Sequence, residues 1–272
     1  MQLVFLLFIF GFNSQANTLA CASLFTQETH DEPGFVLDQS YGLADQKDFR
    51  LKQAGLFAPG GFFSADKSML CGPTCVVNVI EKFKVHNGQI NFPTNDVQKI
   101  IDHVKNSNPL LNQSTKSIVQ SGVDSKHLAL NLKSAAEEVG LNLDIQIKTA
   151  VSNRSMDFKK GISLAEMKSS IFPDQSVMVL VGYYRVNNLQ QIDKSNRLSG
   201  HYMIVAGYDR IDPNQMIFHD PESPLNYYKA NLISVKPKNF LAPTFELETK
   251  YPTFRSTKIL IEDIIIIKNE NK

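Results

Sequence analysis

The sequence predicts an α+β domain, with a helical half packed on an antiparallel sheet. Three observations carry this reading. Between residues 71 and 139 apolar side chains recur at helical spacing. From Leu143 onward the pattern changes to alternation and to β-rich runs such as Val177 to Val186 and Ile259 to Ile267. Helices first and strands later is the element order of segregated layers rather than of a parallel α/β sheet. A chain of 272 residues with 43% hydrophobic content can bury one good-sized core and a small appendage. A net charge of +1 gives no electrostatic case for nucleic acid or an anionic membrane surface. Three cysteines in so long a chain do not make a disulfide scaffold.

The elements follow in chain order. Residues Leu3 to Phe12 form an apolar run too short to span a bilayer, followed by Asn13-Ser14-Gln15-Ala16. This reads as a secretory signal over 1–16, with Ala20 and Ala22 as alternative cleavage points, and places the protein outside the cytoplasm as a secreted or periplasmic one. Thr18-Leu19-Ala20-Cys21 is a weaker match to a lipoprotein box, because Thr18 stands where Leu is wanted; lipidation of Cys21 is the lesser alternative. No later segment is long and apolar enough to cross a membrane. Residues 17–61 are polar and weakly periodic, an N-terminal extension ending in Ala58-Pro59-Gly60-Gly61, where the glycines read as a flexible turn.

The main domain is expected over 62–235, with 236–272 supplying closing strand or strands of the same domain. A helix begins near Cys71. Val76, Val79, Ile80 and Phe83 share one face and Val77 broadens it, so the helix should be mostly buried. A second helix is expected from Thr94 to Lys105, and a third from Asp124 or Ser125 to Val139, stopping at Gly140. Leu143 to Ile147 alternates as a strand. Ser163 and Glu166 form a capping-box pattern for a short helix ending near Phe172-Pro173. Strands then follow at Val177–Val186, His201–Ile211, Met216–His219 and Ile259–Ile267, with a polar loop from Asn187 to Ser199.

Chemistry concentrates in two segments. Cys71-Gly72-Pro73-Thr74-Cys75 opens the first helix, and Gly200-His201-Tyr202 opens a strand, with His219-Asp220-Pro221 shortly after. A helix N-terminus carries partial positive charge and N–H groups without helical partners, so it favours a thiolate there. Pro73 suits a first-turn position whose N–H is unused. Cys71, His201 and Asp220 then fit the roles of nucleophile, base and orienting carboxylate. Asp209 and Asp212 compete for the last role, but Asp209 lies about 26 Å along an extended strand from His201. Cys75 faces an apolar helix and reads as a small buried hydrophobe. A Cys71–Cys75 disulfide would have to close within one helical turn.

These segments resemble the bacteriocin-processing (double-glycine) peptidase family and its relatives in the papain-like superfamily. The resemblance covers roughly Phe62 to Val235, and the separation of Cys71 from His201 matches the interval of about 130 residues found in papain-type enzymes. It implies a papain-like cysteine protease fold, with the nucleophile helix packed on the sheet half. It also implies a Cys71–His201–Asp220 triad acting on a peptide or protein substrate through a thioester, without a cofactor. Cys75 matches a second, non-catalytic Cys of some family members. One family feature is absent. The oxyanion Gln expected six residues before the nucleophile is Ala65 here, and the nearest upstream Gln is Gln53. The backbone N–H of Cys71 would supply one donor. Ser64, Ser68 and Gln53 are candidates for another, with Gly72 and Gly200 as further substrate or oxyanion candidates. Loss of such a donor costs about two to three orders of magnitude in turnover. Two alternatives therefore stand beside a peptidase: a transpeptidase or amidase on a non-protein amide, and a catalytically inactive binding module.

His86, His103 and His127 show no ligand spacing with each other or with the cysteines, so no metal site is inferred. Asn112-Gln113-Ser114 and Asn153-Arg154-Ser155 are glycosylation sequons, meaningful only in a eukaryotic source.

Overall fold

A computed structural model describes residues 35–37, 71–88, 124–151, 159–187, 191–220, 227–248 and 257–271. Within them the chain runs β1 (Phe35–Leu37), α1 (Cys71–His86), α2 (Ser125–Glu138), β2 (Leu143–Thr149), β3 (Lys159–Lys160) and α3 (Leu164–Ser169). It continues with β4 (Gln175–Val186), β5 (Ile192–Asp209), β6 (Gln215–His219), β7 (Tyr227–Val235), β8 (Thr244–Glu248) and β9 (Thr257–Asn269). The signal segment, Cys21, Gln53, Gly60-Gly61, Ser64, Ala65, Ser68, the Thr94–Lys105 helix, His103, Pro221 and both sequons lie outside the described residues.

The expected α+β layering, and the papain-like fold with it, are overturned by the sheet. Strands β4 to β9 pair antiparallel in sequence order, and β9 pairs back onto β4, closing a six-stranded barrel. Only three helices lie among the described residues. The molecule is mostly antiparallel β, and its helices do not form half of it. Length and curvature explain the closure. Strands β4, β5 and β9 have 12, 18 and 13 residues. Their register shifts at Tyr183/Tyr184, Tyr184/Val186, Leu180/Val181 and Val205/Gly207. Three of these shifts add one residue to one strand, and that between Tyr184 and Val186 adds three to β5; each bends its strand, as a barrel wall requires. The expected loop from Asn187 to Ser199 is largely the first half of β5, where polar side chains sit on a paired strand. Strands β7 and β8 have no counterpart in the expectation. Strand β1, within the expected N-terminal extension, pairs with the end of β5. Strands β2 and β3 extend the sheet from the other half of β9.

Side-chain alternation builds two cores on one wall. Val177, Val179, Val181, Met203, Val205, Met216, Phe218 and Leu232 point inward with Met167 of α3. Met178, Leu180, Tyr202 and Ile204 point outward and meet α1 and α2. Each fully buried aliphatic or Phe side chain contributes about 1.5–3 kcal/mol. On β9 the inward set changes parity, from Ile259 and Ile261 to Ile264, while Ile265 and Ile267 face the helices. The change falls at Glu262, where one extra residue is inserted opposite Leu180/Val181.

The helices match their local signals. Val76, Val79, Ile80 and Phe83 of α1 are all fully buried. Asp124 caps α2 by accepting from the His127 N–H at 2.9 Å, and Gly140 ends it at φ 76°. The Ser163 hydroxyl caps α3 by accepting from the Glu166 N–H at 3.4 Å. Among the described residues no helix is long and apolar enough to cross a membrane.

Candidate active site

The site forms where the start of α1 meets β5 and the end of β6. Cys71 is the first residue of α1 and is 5% exposed. Gly72 after it is explained by packing. A Cβ there would stand 3.2 and 3.3 Å from the Leu128 methyls and 3.4 Å from the Tyr202 ring. The absent side chain lets the nucleophile's turn press against α2 and β5.

His201 lies on β5 opposite Val181 of β4. Ile204 pairs with His219, the last residue of β6, so continuing that register brings Asp220 beside Met203. That is two residues from His201 on the same side of the strand, a diagonal within side-chain reach. The His201 Nε2 to Asp220 Oδ1 distance is 2.8 Å. The Asp220 side chain is 24% exposed and that of His201 is 9% exposed. Burial opposes charge on the imidazole, but hydrogen bonds to Asp220 and Cys71, and the charges on both, outweigh it and raise His201 to about 10. The same ring hydrogen-bonds the Cys71 side chain, so it stands between carboxylate and sulfur. Asp209 and Asp212 are not part of this arrangement: they accept from the Ile211 and Asn214 N–H groups in the turn after β5.

Of the candidate residues, then, Cys71, His201 and Asp220 come together, and Gly72 and Gly200 flank them. Gly200 pairs with Gly182 across β4 and β5. Arg197 crosses over Gly200 to reach Glu262, with Nε to Oε1 at 2.6 Å and Nη2 to Oε2 at 2.8 Å. The Tyr184 hydroxyl donates to the same carboxylate. Packing room for this ion pair accounts for both glycines. Gln53 and Ser68 lie outside the described residues. Cys71 and Cys75 are both free thiols. Burial foremost, then the charges on Cys71 and Asp220, push the Cys75 thiol up. It stays a neutral thiol beneath the nucleophile.

Sequence reasoning passed over a buried polar shell. Asn78 of α1 is fully buried, with Nδ2 3.4 Å from His219 Nε2. Ser125, at the start of α2, donates to Asp263 Oδ2 at 2.7 Å and lies 3.2 Å from the Tyr202 hydroxyl. The available signals were an Asn inside Val76-Val77-Asn78-Val79-Ile80 and the acidic pair Glu262-Asp263 inside an isoleucine-rich strand. His86 and His127 are exposed, and among the described residues no group of three or more His, Cys, Asp or Glu could hold a metal ion. No family model matches the chain, and no curated protein matches it.

Proposed function

We propose that this protein is an exported cysteine hydrolase that cleaves a peptide or related amide bond. The observation that carries the reading is the contact chain Cys71–His201–Asp220, assembled from a helix start, a strand and a strand end. Its motif resemblance and the apolar leader add support from the sequence.

The reaction follows from the roles. Asp220 accepts from His201 Nε2–H and holds the ring, which also donates to the Cys71 thiolate. The sulfur attacks the substrate carbonyl carbon, forming a C–S bond, and the oxyanion meets N–H groups at the start of α1. His201 gives its proton to the leaving nitrogen as the C–N bond breaks. Water, deprotonated by His201, then attacks the thioester carbon; the C–S bond breaks, releasing the acid and restoring the Cys71 thiolate beside protonated His201. The presence of Ala65 in place of the family's Gln favours a second reading, a binding module without turnover.

Labelling with iodoacetamide near pH 7, mapped by mass spectrometry, tests this. Wild type is expected to react at Cys71 and not at Cys75. A thiolate is the reactive form and His201 is the base that faces it, so His201→Ala should react markedly more slowly. Equal rates in the two proteins would remove the base and leave the binding reading. Adding an amine nucleophile during turnover then separates hydrolysis from acyl transfer.

A further inference from the structure

The polar residues Cys71, Cys75, Asn78 and Lys82 form one stripe along α1, at successive spacings of four, three and four residues. The stripe is buried: Cys71 is 5% exposed and the other three are fully buried. Lys82 Nζ donates to the Phe172 carbonyl at 2.9 Å and to that of Gln175, which ties the far end of the helix to the turn before β4. Asn78 does the corresponding work nearer the nucleophile. An apolar residue there would avoid the cost of burying an amide, so its presence needs a reason.

Its contact supplies one. His219 is 1% exposed, ends β6, and immediately precedes Asp220. Burial lowers the proton affinity of His219 despite the nearby Asp220 charge, so the ring stays neutral and Nε2 accepts from the Asn78 amide. The contacts close a loop: Cys71 to His201, His201 to Asp220, back one residue to His219, across to Asn78, and two helical turns along α1 to Cys71. Cys75 lies inside that loop, within the fields of Cys71 and Asp220.

We propose that Asn78 and His219 are positioning residues, whose contact sets the distance between the nucleophile's helix and the end of β6 that carries Asp220. The inference rests on the hydrolase reading above. It gives the site a second linkage, independent of the His201–Asp220 bond, that holds the imidazole between carboxylate and sulfur. A displacement of about 1 Å at such a site costs up to about 100-fold in rate.

The test uses the full chain and compares wild type with Asn78→Leu/His219→Leu and with His219→Gln. Replacing both polar partners by apolar ones is close to neutral for stability, whereas His219→Gln keeps an acceptor. Each protein is labelled at Cys71 with iodoacetate and with iodoacetamide across pH, and its Tm is measured. The ratio of the two rates follows the charge on His201, because only the anionic reagent gains from an imidazolium. The titratable groups that act on that ring are Cys71 from α1 and Asp220 after β6; Cys75 on α1, His219 on β6 and Tyr202 on β5 act on those two in turn. The double variant should melt within about 2 °C of wild type, yet label about tenfold or more slowly with iodoacetate at pH 8. The midpoint of its rate ratio should fall by at least about one pH unit, a tenfold change in the charge equilibrium. His219→Gln should stay close to wild type. A folded double variant with wild-type rates and midpoint overturns the inference. Should the double variant not fold, Asn78→Ser makes the same comparison, and a wild-type midpoint there overturns it equally. The underlying reading fails separately, when His201→Ala itself labels as fast as wild type.

Discussion

Replacing Asp220 by Asn keeps the shape of the side chain and removes the charge facing His201. In wild type the imidazole is raised from 6.5 to about 10, against burial, by its hydrogen bonds to Asp220 and Cys71 and by their charges. At pH 8 a group titrating at about 10 is ~99% protonated, and one returned to 6.5 is ~3% protonated. The loss of imidazolium is therefore bounded at about 30-fold, and Cys71 retains its own share of the shift. The rate ratio of iodoacetate to iodoacetamide at Cys71, followed against pH, reads this charge. Wild type should lose half its preference for iodoacetate near pH 10. Asp220→Asn should do so at least about one unit lower. Stability carries the same sign. A folded-state value above the unfolded one stabilises fully below about pH 6.5, and the contribution fades as pH rises to about 10. The variant's deficit in urea midpoint should thus be largest near pH 6 and shrink toward pH 10. A midpoint within about half a unit of wild type would show that Asp220 does not hold the proton on His201.

Two further outcomes test the surrounding structure. Gly182→Ala should destabilise by about 1–3 kcal/mol, read as a lower urea midpoint at unchanged slope. Its Cβ would stand 2.6 Å from Glu262 Cδ and 2.7 Å from Tyr184 Cε2, and Glu262 is pinned by Arg197; a wild-type midpoint would show that the pair yields freely. Asp263→Asn tests a carboxyl raised chiefly by burial, with the neighbouring Glu262 adding to it against bonds from Thr149 and Ser125. With its folded value above the unfolded one, Asp263 costs stability as pH rises from the unfolded value through the folded one. The variant should therefore gain on wild type between pH 3 and pH 7 in thermal melts, and a constant difference would contradict the buried-carboxyl account.

Local elements were readable because their causes are local. The apolar stripe of α1, the Asp124 cap, the stop at Gly140 and the Ser163 cap depend on residues within one or two turns. Strands β4, β6 and β9 were legible for the same reason, as short-range β-rich patterns. The polar half of β5 was misread as a loop because its partners on β4 decide its state, and its own side chains are solvated. Strands β7 and β8 left too little pattern to be seen. The residues Cys71, His201 and Asp220 stood out as chemistry, whereas Asn78, Ser125 and Asp263 look ordinary until distant segments surround them.

By itself the sequence determined which residues carry reactive groups and how each short segment coils or extends, since these follow from side-chain type and spacing over a few bonds. Only the tertiary structure decided that β9 returns to β4 and closes the barrel, and that His219 of β6 meets Asn78 of α1. Both are relations between segments far apart in the chain, as a cross-strand register is. A bulge of one residue resets it, as at Glu262, where the acidic pair interrupts the isoleucine run without stating which strand lies opposite.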